Sequence, residues 1–252
     1  MAKTLINLRK KLIQNKVSIG AWMQIPSPEI AEILAFNNYD WITIDLEHGS
    51  IENGDLPNIT RAIELGNCLP IARVAIANEQ NCRRALDLGA KGLILPMINS
   101  PSQLKDILHY CSWPPKGKRG VGYSRANLYG KSFYEYNYIS QNPFIVAQIE
   151  HVEAVNNLEA ILKCKGLDAI LIGPYDLSAS INKTGKFNDK EYINLINKIF
   201  KICKKNKIPF GYHVVDPDLD KLKTIIKKGC NFIAYSTDGM ILNKFTINPI
   251  YK

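Results

Sequence analysis

The chain has 252 residues, 46% apolar and 22% charged, which supports a sizeable packed core and excludes a globally disordered polymer. No apolar run approaches the ~18 residues of a membrane span, and the first residues hold no signal-peptide core, so a cytoplasmic location is expected. The formal net charge of +9 comes largely from lysines interleaved with apolar residues, as in 199–208 and 221–228. That pattern reads as solvated helix faces with a field that attracts anionic substrates, not as a nucleic-acid interface, and no membrane contact is expected.

Segment 1–17 predicts an amphipathic helix with Leu5, Leu8, Leu12 and Ile13 on one face. A strand over 18–24 is followed by a helix over 28–36, then a strand over 41–48 and a helix over 55–66. The third strand, 70–75, leads to a helix over 78–89 that ends in Gly; the fourth, 91–97, leads to a helix over 100–111 with Ser100 as its N-cap. A long stretch, 112–143, rich in Gly, Tyr and basic residues, reads as irregular, with 123–138 placed as a lid or acceptor-site segment. Strand 144–150, helix 152–164, strand 168–173, helix 188–206, strand 209–215, helix 217–229 and strand 231–236 complete the chain.

Eight mostly apolar strands alternating with helices predict a parallel sheet buried on both faces. Eight units favour closure into one (β/α)₈ TIM barrel spanning 1–252, and the absence of G-x-G-x-x-G after the first strand counts against a dinucleotide-binding sheet. The six cysteines, at 68, 82, 111, 164, 203 and 230, form no C-x-x-C and no zinc spacing, and read as separate reduced thiols.

A barrel does its chemistry at the C-terminal ends of its strands. The polar residues there are Trp22 and Gln24 on strand one, Asp45, Glu47 and His48 on strand two, and Arg73 on strand three. Gln148 and Glu150 close strand five; Gly173, Tyr175 and Asp176 follow strand six; His213 ends strand seven. Each has an ordinary structural explanation: Asp176 as a turn or cap residue, Glu150 facing a helix N-terminus, His213 as a hydrogen-bonded rim histidine. Together they bring two carboxylates, a His, an Arg and a Gln to one mouth. Glu150 and Asp176 are hard oxygen ligands suited to Mg²⁺ or Mn²⁺. No lysine stands at a strand C-terminal end, Lys91 being at the start of strand four, so a metal is a better electron sink than a Schiff base.

The motifs YDWITIDLEHG (39–49), IARV (71–74), LDLGAKGLILPMI (86–98), YCSWPPKGKRGVG (110–122), QIE (148–150) and IGPYDLS (172–178) run in register from about Ser18 to about Asp238. The chain thereby resembles the class II pyruvate aldolases of the HpcH/HpaI type, which share the phosphoenolpyruvate/pyruvate type of barrel. The resemblance implies Glu150 and Asp176 as ligands of a divalent metal (Mg²⁺, Mn²⁺ or Co²⁺), His48 as the base and Arg73 as the group that stabilises the enolate. Asp45 joins His48 and Arg73 among the catalytic candidates. Gln148 and the backbone after Gly173, donated by Tyr175 and Asp176, are implied to bind a 2-oxo acid that reacts with an aldehyde. The resemblance also gives Asp87 to the active site of an adjacent subunit, paired with the catalytic His, and so implies a homo-oligomer, with a hexamer favoured. The alternative on the same barrel is a citrate-lyase-like or citrate-synthase-like carbon–carbon enzyme, and release of pyruvate without CoA separates the two.

Overall fold

The structure is a computed structural model that describes residues 2–251; Met1 and Lys252, the outer bounds of the expected domain, lie outside the described residues. Eight parallel strands close in sequence order into a barrel: β1 (Ser18–Met23), β2 (Trp41–Asp45), β3 (Leu69–Arg73), β4 (Gly92–Leu95), β5 (Phe144–Ile149), β6 (Ala169–Ile172), β7 (Phe210–Val214) and β8 (Phe232–Tyr235). The register sets Asp45 directly opposite Arg73 at the C-terminal ends of β2 and β3, which prepares the site described below.

The interior is filled by large side chains rather than left as a pore. Trp41 stacks on Phe232 with centroids 4.3 Å apart, and Trp22, Leu69, Ile71, Phe144 and Leu171 complete the filling. Gly20, paired with Trp41 in the register, is required there: a Cβ would stand 2.1 Å from the indole ring. A second apolar layer lies between the strands and the surrounding helices, among them α2 (Pro28–Ala35), α3 (Leu56–Leu65), α4 (Glu79–Asp87), α5 (Pro101–Cys111) and α10 (Lys190–Asn206).

The N-terminal face is plugged. Leu5, Leu8 and Leu12 of α1 (Lys3–Ile13) join the interior cluster, and Arg9 and Lys11 tie that helix to Asp168 and Asp40 at the starts of β6 and β2. The stretch 112–143 differs from its expected irregular form. It contains a 3₁₀ turn (Arg125–Gly130) and α6 (Phe133–Gln141), whose Tyr136 and Ile139 pack with Trp113 into the same plug. It therefore lies at the N-terminal face and is not a lid over this barrel's own mouth.

The helix expected over 152–164 is broken into α7 (Val152–Asn156) and α8 (Leu158–Ile161). Short α9 (Pro174–Ala179) follows β6; α11 (Leu219–Lys227) and α12 (Asp238–Phe245) follow β7 and β8. All six cysteines are buried and free. No helix among the described residues is long and apolar enough to cross a membrane.

Candidate active site

The C-terminal mouth holds a cavity of about 370 Å³ whose lining includes Trp22, Gln24, His48, Arg73, Gln148, Gly173, Tyr175, Asp176 and His213. That size suits a small organic acid and a short acceptor. No lysine is in the lining; Lys91 pairs with Glu64 at the opposite end of the barrel.

Asp45 organises one half of the site. Its fully buried carboxylate accepts from six N–H groups: Arg73 Nε (2.9 Å) and Nη2 (2.6 Å), Trp22 Nε1 (3.0 Å), Gln24 Nε2 (3.0 Å), and the backbone N–H groups of Glu47 (3.0 Å) and His48 (3.3 Å). Burial works against ionisation, but the Arg73 bonds and charge overcome it and hold Asp45 down at about 2. A carboxylate so saturated has no lone pair to offer a substrate proton. Asp45 positions Arg73 and His48 instead. Arg73 is held further by Glu47 Oε2 (3.1 Å from Nη1) and by the face of Trp22, 4.9 Å from the guanidinium carbon.

The other half is built on β5 and β6. Glu150 is buried, with Oε1 accepting from Met97 N–H at 2.6 Å and Oε2 from Gln148 Nε2. Met97 reaches that carboxylate in a left-handed conformation, φ 52°, which is strained for a residue with a Cβ and is sustained here by its neighbours. Burial raises the Glu150 carboxyl to about 7; the nearby charges of Asp176 and Glu47 push the same way, against Met97 N–H and Arg73. Gln148 is buried and its Oε1 has no partner. Gly173 clears the space in front of this pair: a Cβ there would stand 2.7 Å from Glu150 Oε2 and 3.0 Å from Gln148 Nε2. Asp176, exposed in the first turn of α9, completes the pair of carboxylates.

His213 stacks on Trp22 with centroids 4.5 Å apart, and its Nε2 lies 3.2 Å from Ser236 O. A carbonyl only accepts, so Nε2 carries the proton and the ring supports Trp22 from the rim. Burial pushes His213 down to about 4. Below about pH 6.5 the unfolded chain takes up a proton that the folded ring refuses, so stability falls between about pH 6.5 and pH 4. Asp45 adds a second loss as pH falls below its ordinary value of 3.8 towards 2. Chemical denaturation is expected to show about 2 kcal/mol lost to His213 between pH 7 and pH 5, and a flatter profile for His213→Gln. An unchanged slope in the variant contradicts the assignment.

Asp87 stands at the end of α4 on the N-terminal face, remote from the mouth of its own barrel. It is partly buried; burial raises its carboxyl, offset by the charges of Arg119, Arg83 and Arg84. The structure thus gathers His48, Arg73, Asp45, Gln148, Glu150, Gly173, Tyr175 and Asp176 at one mouth and leaves Asp87 outside it.

Two contributors went unnoticed in the sequence. The Met97 amide carries no side-chain signal. Asp238, buried at the start of α12, accepts from Gln24 N (2.9 Å), Ile25 N (3.0 Å) and Gly239 N (2.7 Å), fastening the end of β1 beside Asp45. Its signal was the Thr237-Asp238 pair after the last strand, a helix-start pattern that also lies on the catalytic rim.

Comparison with known proteins agrees with the barrel fold. The family model described as HpcH/HpaI aldolase/citrate lyase matches residues 18–244. A hydroxypyruvate/pyruvate aldolase of Roseobacter denitrificans is 30% identical, covering 96% of this chain and 95% of its own length. A 2-keto-3-deoxy-L-rhamnonate aldolase of Shigella dysenteriae is 30% identical, with 92% of this chain and 87% of the relative covered. The solved structure of an HpcH/HpaI aldolase/citrate lyase family protein from Burkholderia cenocepacia superposes with a TM-score of 0.89 at 27% identity, over 95% of this chain and 96% of that one. The chain belongs to the HpcH/HpaI aldolase/citrate lyase family and is a carbon–carbon lyase.

Proposed function

We propose that the chain makes and breaks the carbon–carbon bond between a 2-oxo acid such as pyruvate and an aldehyde, using a divalent cation (Mg²⁺, Mn²⁺ or Co²⁺) held by Glu150 and Asp176. The observation that carries this reading is a cavity lined by a rigidly held guanidinium, an imidazole and the Asp176 carboxylate, with the buried Glu150 carboxylate bonded to the lining residue Gln148.

The donor set fits such a cation. Burial drives the Glu150 carboxyl towards neutrality, with the charge of Asp176 pushing the same way, and Gln148 Oε1 lies buried with nothing to bind. A cation relieves both. Among the described residues no group of three or more His, Cys, Asp or Glu side chains is arranged to hold a metal. Two carboxylate ligands suit a hard cation that keeps positions for water and substrate oxygens. When bound, such a cation supplies Lewis-acid polarisation of the substrate's keto group.

The remaining work falls to the chain. Arg73, fixed by Asp45, Glu47 and Trp22, stabilises the negative charge that develops on the keto oxygen. His48, held by its backbone on Asp45, moves the proton of the aldol hydroxyl. Gln148 and the N–H groups of Tyr175 and Asp176 orient the 2-oxo acid; Pro174 has no N–H to give. The proposal extends to a cytoplasmic homo-oligomer, a hexamer built as a trimer of dimers, in which Asp87 of a neighbour completes each site. Exposed Val121, Tyr123, Tyr129 and Tyr134 on the segment near α4 supply apolar surface for such a contact.

Pyruvate release from a hydroxylated 2-oxo acid, measured without CoA, tests the reaction. Chelation is expected to abolish turnover and Mg²⁺, Mn²⁺ or Co²⁺ to restore it. Borohydride with pyruvate is expected to leave the chain unmodified, and a trapped lysine would sink the metal mechanism.

A further inference from the structure

A second cavity, about 890 Å³, lies at the N-terminal face, at the opposite end of the strands from the catalytic mouth. Basic side chains reach it from four parts of the chain. Arg9 comes from α1; Lys105 and His109, four residues apart and so on one face, come from α5; Lys116 follows α5; Lys163 and Lys165 follow α8.

The one carboxylate in the lining, Asp168, is already neutralised. It accepts from Arg9 Nε (2.7 Å) and Nη2 (2.8 Å) and from Ile145 N–H (2.9 Å). Among the described residues none of the four lysines forms an ion pair; Lys116 is hydrogen-bonded to the neutral Asn142 side chain. Four ammonium groups around one concavity, with no free acid among them, leave a concentrated positive field.

We propose that this groove binds a small oligophosphate, a ligand carrying two or more phosphate groups. Three observations select that chemistry. The volume lies in the small-molecule range of roughly 300–1,000 Å³. The free cations are lysines, compact point charges suited to phosphate, while Arg9, whose planar fork suits a carboxylate, is already committed to Asp168. Apart from His109 the lining has no aromatic ring, so it lacks the stacking platform of a single-strand nucleic-acid groove. None of these residues takes part in the proposed aldol chemistry, so the ligand binds without occupying the catalytic mouth.

Calorimetric titration of the full chain with inorganic triphosphate at low salt tests the proposal. Lys163→Glu combined with Lys165→Glu is expected to weaken binding about tenfold or more. A control pair on α11, Lys223→Glu with Lys227→Glu, changes the net charge equally but lies outside the groove, and is expected to stay within about twofold of the parent. Pyruvate release without triphosphate should be unchanged in both, which checks that they fold. Equal weakening by the two pairs would mark the overall charge rather than the groove and overturn the proposal. Failure of the parent chain to bind triphosphate at millimolar concentration, or tighter binding of a single-stranded oligonucleotide, overturns it as well.

Discussion

Arg73→Lys is expected to lower aldol cleavage by about 10²–10³-fold and to lower exchange of the pyruvate methyl protons by a comparable factor. Both reactions pass through negative charge on the keto oxygen, and the guanidinium is the chain's own cation in the mouth. Lysine keeps the charge but loses the fork. Arg73 spans both Asp45 oxygens and still presents Nη1 to Glu47; a single ammonium cannot fill those three places. Lysine is preferred to alanine because alanine would leave a fully buried carboxylate without its cation, a loss of about 3–5 kcal/mol that could unfold the chain.

His48→Ala is expected to part the two reactions. Cleavage should fall by about 10²–10⁴-fold, the usual worth of a positioned acid–base group. Exchange should partly survive, because the charge on the keto oxygen is still met by Arg73. Equal losses of cleavage and exchange in both variants would contradict this division of labour.

The barrel was legible because its strands are apolar runs and its helices are capped and periodic. The site was legible because strand ends are where a barrel displays polar side chains. Arg73 and Asp45 could each be collected from the sequence, but not the six-donor shell that turns Asp45 from a catalytic candidate into the anchor of Arg73. Met97 was out of reach because its contribution is a backbone N–H in a left-handed conformation beneath an apolar side chain. The stretch 112–143 is a different kind of miss. Phe133, Tyr136 and Ile139 recur at helical spacing, but abundant Tyr and Gly, poor helix formers, obscured it. Its location followed from chain order alone: a segment that leads from a helix into the next strand arrives at the N-terminal face, so it could not cover this barrel's own mouth.

That same geometry makes Asp87 the sharpest test of the proposed assembly. Within one chain Asp87 sits at the end of α4 on the plugged face, partly buried beside the charge of Arg119. Arg119 is itself buried, with Nη2 on Tyr136 Oη (3.1 Å) and with Nε and Nη1 lacking partners. Desolvation holds the Asp87 carboxyl above its ordinary value, and a cationic imidazole from a second copy is the kind of partner that brings it back down. The same contact raises the basicity of the imidazole. Asp87→Asn is therefore expected to lower turnover by about tenfold or more and to move the acid limb of the pH–rate profile to lower pH. Cation affinity should be nearly unchanged, since Glu150 and Asp176 are untouched. Complementation gives the decisive reading. Asp87→Asn subunits keep His48, and His48→Ala subunits keep Asp87. Unfolded together and reassembled, the two impaired variants are expected to regain activity, because a statistical share of interfaces joins an intact His48 to an intact Asp87. Reassembly of each variant alone controls for handling. No gain on mixing, or full activity in a chain that sediments as a monomer, refutes the shared site while leaving the Arg73 and His48 assignments to stand on their own measurements.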